Sequence, residues 1–412
     1  MKVLSKYSIG AGDRFGKQGR AQIAAFQKLA ASGVEASIVW NKSNREHMII
    51  GTKPSDQRKA ADEAVRSAAY RGQYCVDADH IGLATVEGFL PHCDFFTIDV
   101  ADFIGKPASP ERAAGFVESL AFLAEDSSAP VRIRLEDIQA CAAKYARAID
   151  EAAKVYTRIA QAKPDGDYHI EVSMDETDLP QSPAELAVIL GGLAALKIPV
   201  QTLAPKFSGR FNKGVDYVGD VRAFLAEFEA DARVALWASR ALGLPESLKL
   251  SVHSGSDKFS IYPGIGRIIK TIDCGLHLKT AGTTWLEELI GLAEAGGKGL
   301  EIAKEIYAQA YEAYDSLVAP YAAVIDIDKA KLPSPGVVGA WSPDQYVGAL
   351  RHDRKNPGFN PNLRQLLHVG YKVAAHMGTE YLDALDSCEE SVGKNVTANL
   401  YERHMVPLFL GA

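Results

Sequence analysis

The first strand-helix-strand unit of the chain reads YSIGAGDRFGKQGRAQIAAFQKLAASGVEASIVWNKS, residues 7–43. It contains a strand-like run, a helix whose apolar residues recur every three or four positions, and a second strand-like run. Two strands joined by a helix are typical of parallel pairing through a right-handed crossover. This unit places the chain in the α/β class, and the number of such units decides the architecture.

Strand-like runs recur along the chain, with amphipathic helices between most of them. They lie at 7–13, 36–43, 74–80, 95–100, 168–176, 200–206, 248–258 and 276–282. Eight parallel strands are the number that closes a (β/α)8 barrel of the TIM type. We therefore predict such a barrel, and an open doubly wound sheet is the alternative fold.

Two helical segments exceed what a minimal barrel needs. Residues 101–167 form an insertion after the fourth strand, and residues 291–412 form a C-terminal extension with a Pro/Gly-rich stretch. Both carry apolar residues at helical spacing, so we expect them to pack against the barrel wall or over its mouth. The prediction is one domain, 1–412, with the barrel core at 1–290.

The composition is that of an ordinary water-soluble protein. Of the 412 residues, 47% are hydrophobic and 24% charged, and the formal net charge is −7. No basic run predicts a nucleic-acid or membrane partner, and no apolar stretch reaches the roughly 20 residues that span a bilayer. We expect a cytoplasmic protein, alone or as a homo-oligomer, that acts on small molecules. Its five scattered cysteines predict reduced thiols.

Ionisable residues end or follow almost every strand. Active sites of such barrels lie at the C-terminal ends of the strands, and buried charges are costly unless they are paired or bind a metal. Histidines and carboxylates without cysteine suit Mn²⁺, Fe²⁺, Co²⁺, Ni²⁺ or Zn²⁺, so we predict a catalytic divalent metal at the barrel mouth. Its expected ligands are His80, Glu171, His253 and, fourth, His277, with Asp79 or Asp175 as replacements.

Other strand-end residues are candidates for proton transfer and substrate binding. The candidate catalytic groups are Asp13, Asp99, Asp175 and Lys279. The candidate substrate-binding groups are Arg14, Asp79, Lys206, Arg210 and Lys258. A carboxylate with a raised pKa could take and return a proton, and basic groups could hold a substrate carboxylate or stabilise an enolate. Structural roles stay open for each: a histidine can be a hydrogen-bonded core residue, and a lysine can merely neutralise neighbouring acids.

The glycine-rich stretch GAGDRFG, residues 10–16, follows a strand and precedes a helix. Its spacing is GxGxxxG, and no convincing ribose-binding acid lies about 20 residues further on, so it does not match a dinucleotide fingerprint. We expect no nucleotide cofactor. The glycines are interpreted as permitting a tight turn that presents Asp13 and Arg14 to the site.

Several long stretches of the chain resemble the tagaturonate epimerase family. They are GAGDRFG, DADH at 77–80, FFTID at 95–99, HIEVSMDETDLPQSP at 169–183, FSGRFNKGVDYVGD at 207–220, VHSGSDKFSIYP at 252–263, HLKTAGTTWLE at 277–287 and RQLLHVGYK at 364–372. The resemblance implies a metal-dependent epimerase of sugar acids or ketoses on a barrel. It places DADH, the glutamate of EVSMDE and the histidine of VHSGSDK at the metal. The chain departs from the family by starting close to its first strand and by loops of its own such as NKSNREHM.

The implied reaction inverts C4, in ketose numbering, of a ketohexuronate such as tagaturonate or fructuronate, or of a free ketohexose. Because C4 is not adjacent to the C2 ketone, simple α-deprotonation does not reach it, and retro-aldol cleavage of the C3–C4 bond followed by re-addition is one route. Two other functions stay open. One is a metal-dependent sugar-acid aldolase that releases the fragments, and the other is a sugar-acid binding barrel without turnover.

Overall fold

The computed structural model describes residues 3–411. Over this range eight parallel strands form a closed barrel in chain order, and the last strand pairs with the first. The strands are β1 Tyr7–Ala11, β2 Ser37–Ser43, β3 Tyr74–Ile81, β4 Phe95–Asp99, β5 His169–Ser173, β6 Thr202–Ala204, β7 Lys249–His253 and β8 Leu276–Lys279. The predicted (β/α)8 barrel is confirmed, and the open doubly wound sheet is wrong.

Helices lie between consecutive strands around the barrel wall, except between β3 and β4, which are joined by a loop with one short 3-10 helix, Val86–Gly88. Those in the first half of the chain are α1 Gly19–Ala31, α2 Asn44–Ile50, α3 Pro54–Ser67, α4 Pro110–Leu120 and α5 Leu135–Ala162. Those that follow β5 to β8 are α6 Pro183–Ala195, α7 Val221–Ala241, α8 Tyr262–Thr271 and α9 Thr283–Ala295. Helices α4 and α5 occupy the expected insertion between β4 and β5.

The stretch NKSNREHM, which the sequence analysis interpreted as a loop, is instead the end of β2 and the start of α2. Ser43 Oγ accepts a hydrogen bond from the Glu46 N–H, and the Glu46 carboxylate accepts one from the Ser43 N–H. This reciprocal capping box satisfies two backbone donors at the start of the helix. The pattern Ser43-x-x-Glu46 in the sequence is the signal that predicts it.

The strands alternate between two kinds of buried residue. Ile9, Val76, Ile98 and Val172 belong to the apolar core that the strands share with the surrounding helices. The residues between them in the strands are polar and buried, and they include Ser8, Asp77, Thr97, Glu171 and Ser251. Because side chains of a strand point alternately to its two faces, the barrel interior is lined with polar groups.

The C-terminal extension packs on a second apolar core, to which α9 contributes Trp285 and Leu289. Its helices are α10 Gly297–Glu312, α11 Tyr314–Val318, α12 Pro335–Gly339, α13 Pro343–Leu350, α14 Pro361–Val369, α15 Tyr371–Met377, α16 Thr379–Ser387 and α17 Glu389–Ala398, followed by a π-helix, Asn399–Leu410. The π-helix returns Met405 and Leu408 to the core of the barrel wall. That the whole chain is a single domain stays a prediction.

Two further expectations concern the cysteines and the membrane. Within residues 3–411 no disulfide joins any of the five cysteines. None of the described helices combines the length and the apolar character that a membrane span requires.

Candidate active site

A buried lysine connects three carboxylates inside the barrel. Lys279 Nζ lies 2.9 Å from Asp77 Oδ2, 2.7 Å from Asp79 Oδ1 and 2.9 Å from Glu171 Oε1. Thr97 Oγ1 lies 2.5 Å from the same nitrogen and donates to the Asp77 carboxylate. Burial lowers the pKa of Lys279, but the three carboxylates outweigh it and hold that pKa well above its ordinary value. Lys279 is therefore a fixed cation at the centre of the barrel.

The three carboxylates respond differently to this cation. Burial raises the pKa of Asp77 to about 7, against the opposing effect of Lys279. Burial also raises the pKa values of Asp79 and Glu171, but the attraction of Lys279 outweighs it. The pKa of Asp79 therefore lies below its ordinary value, and that of Glu171 lies well below. Asp79 and Glu171 are thus charged, and Asp77 is the group of the three that keeps a proton most readily.

His253, at the end of β7, stands between two carboxylates. Its Nε2 lies 2.9 Å from Glu171 Oε1, and its Nδ1 lies 3.2 Å from Asp175 Oδ2. Burial lowers the pKa of His253, but Asp175 and Glu171 outweigh it and raise that pKa to about 9. The Nδ1 atom is buried and makes no hydrogen bond of good geometry within the described residues. Because a metal ligand must be a neutral imidazole, a cation bound here would displace the proton from this nitrogen.

His80 is presented by an irregularity near the end of β3. Its backbone φ is +51°, and the pairing of β3 with β4 shifts register between Ala78 and Ile81. Its Nδ1 lies 3.0 Å from Asp99 Oδ2, and its Nε2 lies 3.8 Å from Asp79 Oδ1. Burial lowers the pKa of His80, but these carboxylates outweigh it and raise that pKa to about 10.

Three side chains from separate strands converge at the barrel mouth. One ligand-type atom from each of His80, Asp175 and His253 lies within 4.8 Å of the others. We refer to these residues as the ligand triad. Asp99 contacts one ring nitrogen of His80, and Glu171 contacts one ring nitrogen of His253, which is the carboxylate-histidine arrangement common around protein-bound metals. The donor set, two imidazoles and a carboxylate, fits a first-row divalent cation.

The structure brings together some of the expected ligands and separates others. Asp175, a replacement ligand in the sequence analysis, belongs to the ligand triad. Glu171 lies deeper in the barrel than the ligand triad, where its Oε1 contacts both His253 and the buried Lys279. His277 lies deeper still, with its Nδ1 2.8 Å from Ser8 Oγ, and burial lowers its pKa to about 3. Ligation by Glu171 or His277 stays a prediction.

The carboxylate of Asp13, which the glycine turn was expected to present to the site, lies elsewhere. It accepts hydrogen bonds from the backbone N–H groups of Lys17 and Gln18 at the start of α1. It lines a cavity of about 130 Å³ that is also bounded by Trp40 of β2 and Gln57 of α3. The structure therefore places this carboxylate on the outer side of β1 and β2.

The expected substrate-binding residues are spread widely. Lys258 is fully buried, and its Nζ donates to three oxygens at 3.1 to 3.3 Å, so no N–H of this group is left for a substrate. The side chain of Arg210 is 51% exposed and lies 3.9 Å from Asp326. Lys206 follows β6 and is partly buried. Arg14 is 8% exposed, and its Nε donates to Glu46 Oε1 at 2.9 Å.

The sequence analysis missed residues that the C-terminal extension brings to the mouth. Tyr321 and Tyr371 are buried there with hydroxyls 3.3 Å apart, and Lys372 lies beside them. No strand end precedes these residues, so the rule that located the other candidates does not apply to them. The stretch RQLLHVGYK, which contains Tyr371 and Lys372, was noted for its resemblance to the family and not for these two residues.

Comparisons with known proteins point to one family and support the barrel fold. The sequence profile of a family described as tagaturonate epimerase matches residues 2–382. A tagaturonate/fructuronate epimerase from Thermotoga maritima is 30% identical over 383 residues, which cover 88% of this chain and 72% of that protein. The native and a glycerol-bound crystal structure of a fructuronate-tagaturonate epimerase from Cohnella laeviribosi each share the fold, with a TM-score of 0.80 and 23% identity over 99% of this chain and 82% of that one.

Proposed function

This chain belongs to the tagaturonate epimerase family and is a carbohydrate epimerase, and from that premise we propose that it inverts C4 of a ketohexuronate of the tagaturonate or fructuronate type with the help of a divalent metal. The observation that carries the proposal is the convergence of His80, Asp175 and His253 at the mouth of the barrel. Active sites of this fold lie at that end. Action in the cytoplasm, assembly into a homo-oligomer and the absence of nucleic-acid partners stay predictions.

We assign the metal to the ligand triad. A first-row divalent cation held there would act as a Lewis acid toward the oxygens of a bound sugar acid. Asp175 takes the place expected for Glu171, and Glu171 becomes the residue that orients His253. Asp99 orients His80 in the same way. Each histidine would then offer its other nitrogen to the cation, because one nitrogen is engaged by a carboxylate.

The reaction that fits these groups is cleavage and re-formation of the C3–C4 bond. A base removes the proton from the C4 hydroxyl, C4 becomes an aldehyde carbon, and the electrons of the C3–C4 bond move to give a C2–C3 enediolate. The aldehyde rotates and the enediolate adds to its opposite face, so that C4 is inverted and the proton returns to its oxygen. Each atom and electron pair is recovered, and no oxidant or reductant is needed.

Asp79 is our candidate for the residue that takes and returns this proton. Its Oδ1 lies 2.7 Å from Lys279 Nζ and 3.8 Å from His80 Nε2, so it borders the ligand triad. The Lys279 ammonium group contacts Asp79, Glu171 and Asp77 and offsets part of their negative charge. In this proposal Lys279 is a positioning residue. Two further residues that were expected to carry protons have other roles: Asp99 orients His80, and Asp175 would bind the metal.

An NMR assay of ketohexuronate interconversion tests the proposal. Protein loaded with a single metal is mixed with tagaturonate, and fructuronate is expected to accumulate to equilibrium. Asp175→Asn is expected to lose the activity, whereas Asp178→Asn, an exposed carboxylate three residues further on, keeps it. No conversion by wild-type protein loaded in turn with Mn²⁺, Fe²⁺, Co²⁺, Ni²⁺ and Zn²⁺ would contradict the proposed function. Accumulation of a free aldehyde would instead indicate an aldolase.

A further inference from the structure

Three basic side chains surround one buried tyrosine ring beside the mouth of the barrel. The ring centroid of Tyr321 lies 5.1 Å from Arg45 Cζ, 5.5 Å from Lys213 Nζ and 5.6 Å from Lys372 Nζ. These cations come from α2, from the loop after β6 and from α15. Tyr321 itself is 5% exposed and lies in the C-terminal extension. The extension and the barrel thus meet around this ring.

A fourth cation, Arg14, continues the group at the end of β1. Its Cζ lies 4.0 Å from the ring centroid of Tyr371, and the hydroxyl of Tyr371 lies 3.3 Å from that of Tyr321. Arg14 Nε donates to Glu46, but Arg14 Nη1 is buried and has no hydrogen-bond partner within the described residues. An unsatisfied buried guanidinium nitrogen is costly, and an anionic oxygen is its natural partner.

The charges of this cationic group, Arg14, Arg45, Lys213 and Lys372, are not balanced by the protein. Glu46 pairs with Arg14 at 2.9 Å, whereas the other three cations form no ion pair in the described part of the chain. Burial lowers the pKa of Lys213. Arg14 and Arg45 act in the same direction, whereas Tyr321 and Glu176 oppose this shift without cancelling it. Like charges held together in a partly buried place repel one another, and a bound anion removes that repulsion.

The cationic group borders the proposed active site. Glu46, the partner of Arg14, lies close enough to Asp79 for the Asp79 carboxylate to act upward on the pKa of Glu46. Ser43, at the end of β2, pairs with Asp79 of β3 in the sheet. On the other side, Lys213 interacts electrostatically with Glu176, which follows Asp175. A sugar acid at the ligand triad therefore has this group beside it.

The backbone fixes the position of Lys213. Its N–H donates to Val324 O at 2.8 Å, and the carbonyl of Gly214 accepts a hydrogen bond from Arg364 Nε at 2.7 Å. Both partners belong to the C-terminal extension. The loop after β6 is thus attached to the extension through the backbone on either side of the Lys213 side chain, whose ammonium group lies over the Tyr321 ring.

We propose that Arg14, Arg45, Lys213 and Lys372 form the subsite for the carboxylate of the sugar acid, and that the C-terminal extension thereby selects ketohexuronates over neutral ketohexoses. The inference rests on the proposed function and adds the residues that set its substrate class. In this role the cationic group replaces Lys206, Arg210 and Lys258, which the sequence analysis expected to bind the substrate carboxylate. Arg14 keeps the substrate-binding role that the sequence predicted.

The test compares the selectivity of variants for charged and neutral substrates. The measured quantity is kcat/KM for a ketohexuronate divided by kcat/KM for the corresponding ketohexose. Lys213→Gln and Lys372→Gln are each expected to lower this ratio by roughly 10- to 100-fold, mainly through the KM of the uronate, because each removes a charge-assisted contact. Lys213→Arg is expected to recover most of it. Lys59→Gln, an exposed lysine of α3, serves as the matched control with an unchanged ratio.

An unchanged selectivity ratio in both glutamine variants would overturn the inference. An equal loss of kcat/KM for the uronate and for the ketohexose, which also leaves the ratio unchanged, would overturn it too. A preference of the wild-type protein for a ketohexose 6-phosphate over the uronate would overturn it as well. Calorimetric titration with an unreactive hexonate separates this inference from the proposed function. If wild-type protein binds the hexonate and Lys213→Gln binds it at least tenfold more weakly, the subsite stands even where no epimerisation occurs.

Discussion

Glu171 and Asp175 lie four residues apart, but their carboxylates have different surroundings. Glu171 is fully buried and shares its Oε1 among His253, Lys279 and Thr97. Asp175 is 22% exposed in its side chain and faces the nitrogen of His253 that Glu171 does not reach. A carboxylate already shared by two cationic groups and a hydroxyl suits a positioning role. The more accessible one suits metal binding.

Substitutions of these two residues are expected to separate the roles. Asp175→Ala should abolish stoichiometric metal binding, because it removes one of three ligands. Glu171→Gln should retain the metal with an affinity lower by about 10- to 100-fold, as expected when a residue that orients a ligand is changed. Elemental analysis and competitive chelator titration measure both effects. Full metal content in Asp175→Ala together with none in Glu171→Gln would show that the assignment is reversed.

The sequence could predict which strand ends contribute residues to the candidate site but not the depth of each side chain in the barrel. His80, His253 and Asp175 were visible as ionisable residues at the ends of buried runs. Alternation along a strand places Glu171 and Asp175 on one face, yet β5 ends at Ser173, and the loop that follows turns Asp175 toward His253. Such a turn depends on contacts between strands, which the sequence of one strand does not contain.

Asp231 is a buried carboxyl group without a function in the proposed mechanism. It is fully buried in α7, and neither of its oxygens has a hydrogen-bond partner within residues 3–411. Burial, with a smaller contribution from Glu227, raises its pKa from the ordinary 3.8 to about 8. At a pH between these two pKa values, Asp231 keeps its proton in the folded protein and releases it in the unfolded chain. The free energy of unfolding therefore falls as the pH rises through this range.

Asp231→Asn is therefore expected to stabilise the protein in a pH-dependent way. The amide never ionises, so the gain should be small near pH 4 and grow to the order of 1–4 kcal/mol at pH 8. Urea unfolding of both proteins at pH 5 and pH 8 measures it. A gain that is equal at the two pH values, or largest at pH 5, would contradict the raised pKa.

At the scale of elements, the loop after β7 is attached to the C-terminal extension through a buried ion pair. Arg364 Nη2 in α14 donates to Asp257 Oδ2 at 2.7 Å, and its Nε and Nη1 donate to the carbonyls of Gly214 and Leu350. Burial raises the pKa of Asp257, but Arg364 outweighs it and holds that pKa well below its ordinary value. One guanidinium group thus connects α14 with α13 and with the loops after β6 and β7.

Removal of this guanidinium group is expected to be strongly destabilising. Arg364→Met should lower the free energy of unfolding by about 3–5 kcal/mol, because Asp257 is left buried without its countercharge. Arg364→Lys should lose less, since it keeps the charge but not the fork of donors. Urea denaturation measures both, with Arg354→Met at a 73% exposed side chain as the control. A loss below 1 kcal/mol in Arg364→Met would contradict this role.

The order of strands and long helices could be predicted because each has a strong apolar period. The ends were less predictable: the seventh run was expected to reach residue 258, whereas β7 ends at His253. The residues beyond that point, Ser254 to Lys258, are polar or glycine and form a loop instead of a continued strand. The short helices of the Pro/Gly-rich stretch were missed, although Ser334-Pro335 and Ser342-Pro343 are serine caps followed by proline in the first turn.

At the scale of the whole molecule, the two apolar cores correspond to two contributions to the site. The barrel supplies the ligand triad and the charged residues around Lys279. The C-terminal extension supplies Tyr321, Tyr371 and Lys372 and fixes the loop that carries Lys213. Under this proposal the chemistry depends on the barrel, and the choice of substrate depends on how the extension packs against it.

Metal removal is expected to affect activity and stability together. Dialysis against a chelator should abolish epimerisation, and return of a single first-row metal should restore it. At a free metal concentration of 100 times Kd, the folded state should gain about 2.7 kcal/mol, which raises Tm by several degrees. Thermal scans of the apo and reloaded protein measure the shift, with Asp175→Ala as the control that should not respond. Equal Tm and activity before and after chelation would contradict the metal site.

The most direct test of the central claim follows one hydrogen atom. Tagaturonate deuterated at C4 is incubated in ordinary water with the metal-loaded protein, and the product is analysed by NMR. The proposed C3–C4 cleavage predicts fructuronate that keeps the deuterium at C4, since that hydrogen stays on the aldehyde carbon throughout. Absence of fructuronate, or fructuronate whose C4 deuterium has been lost to water, would contradict the account.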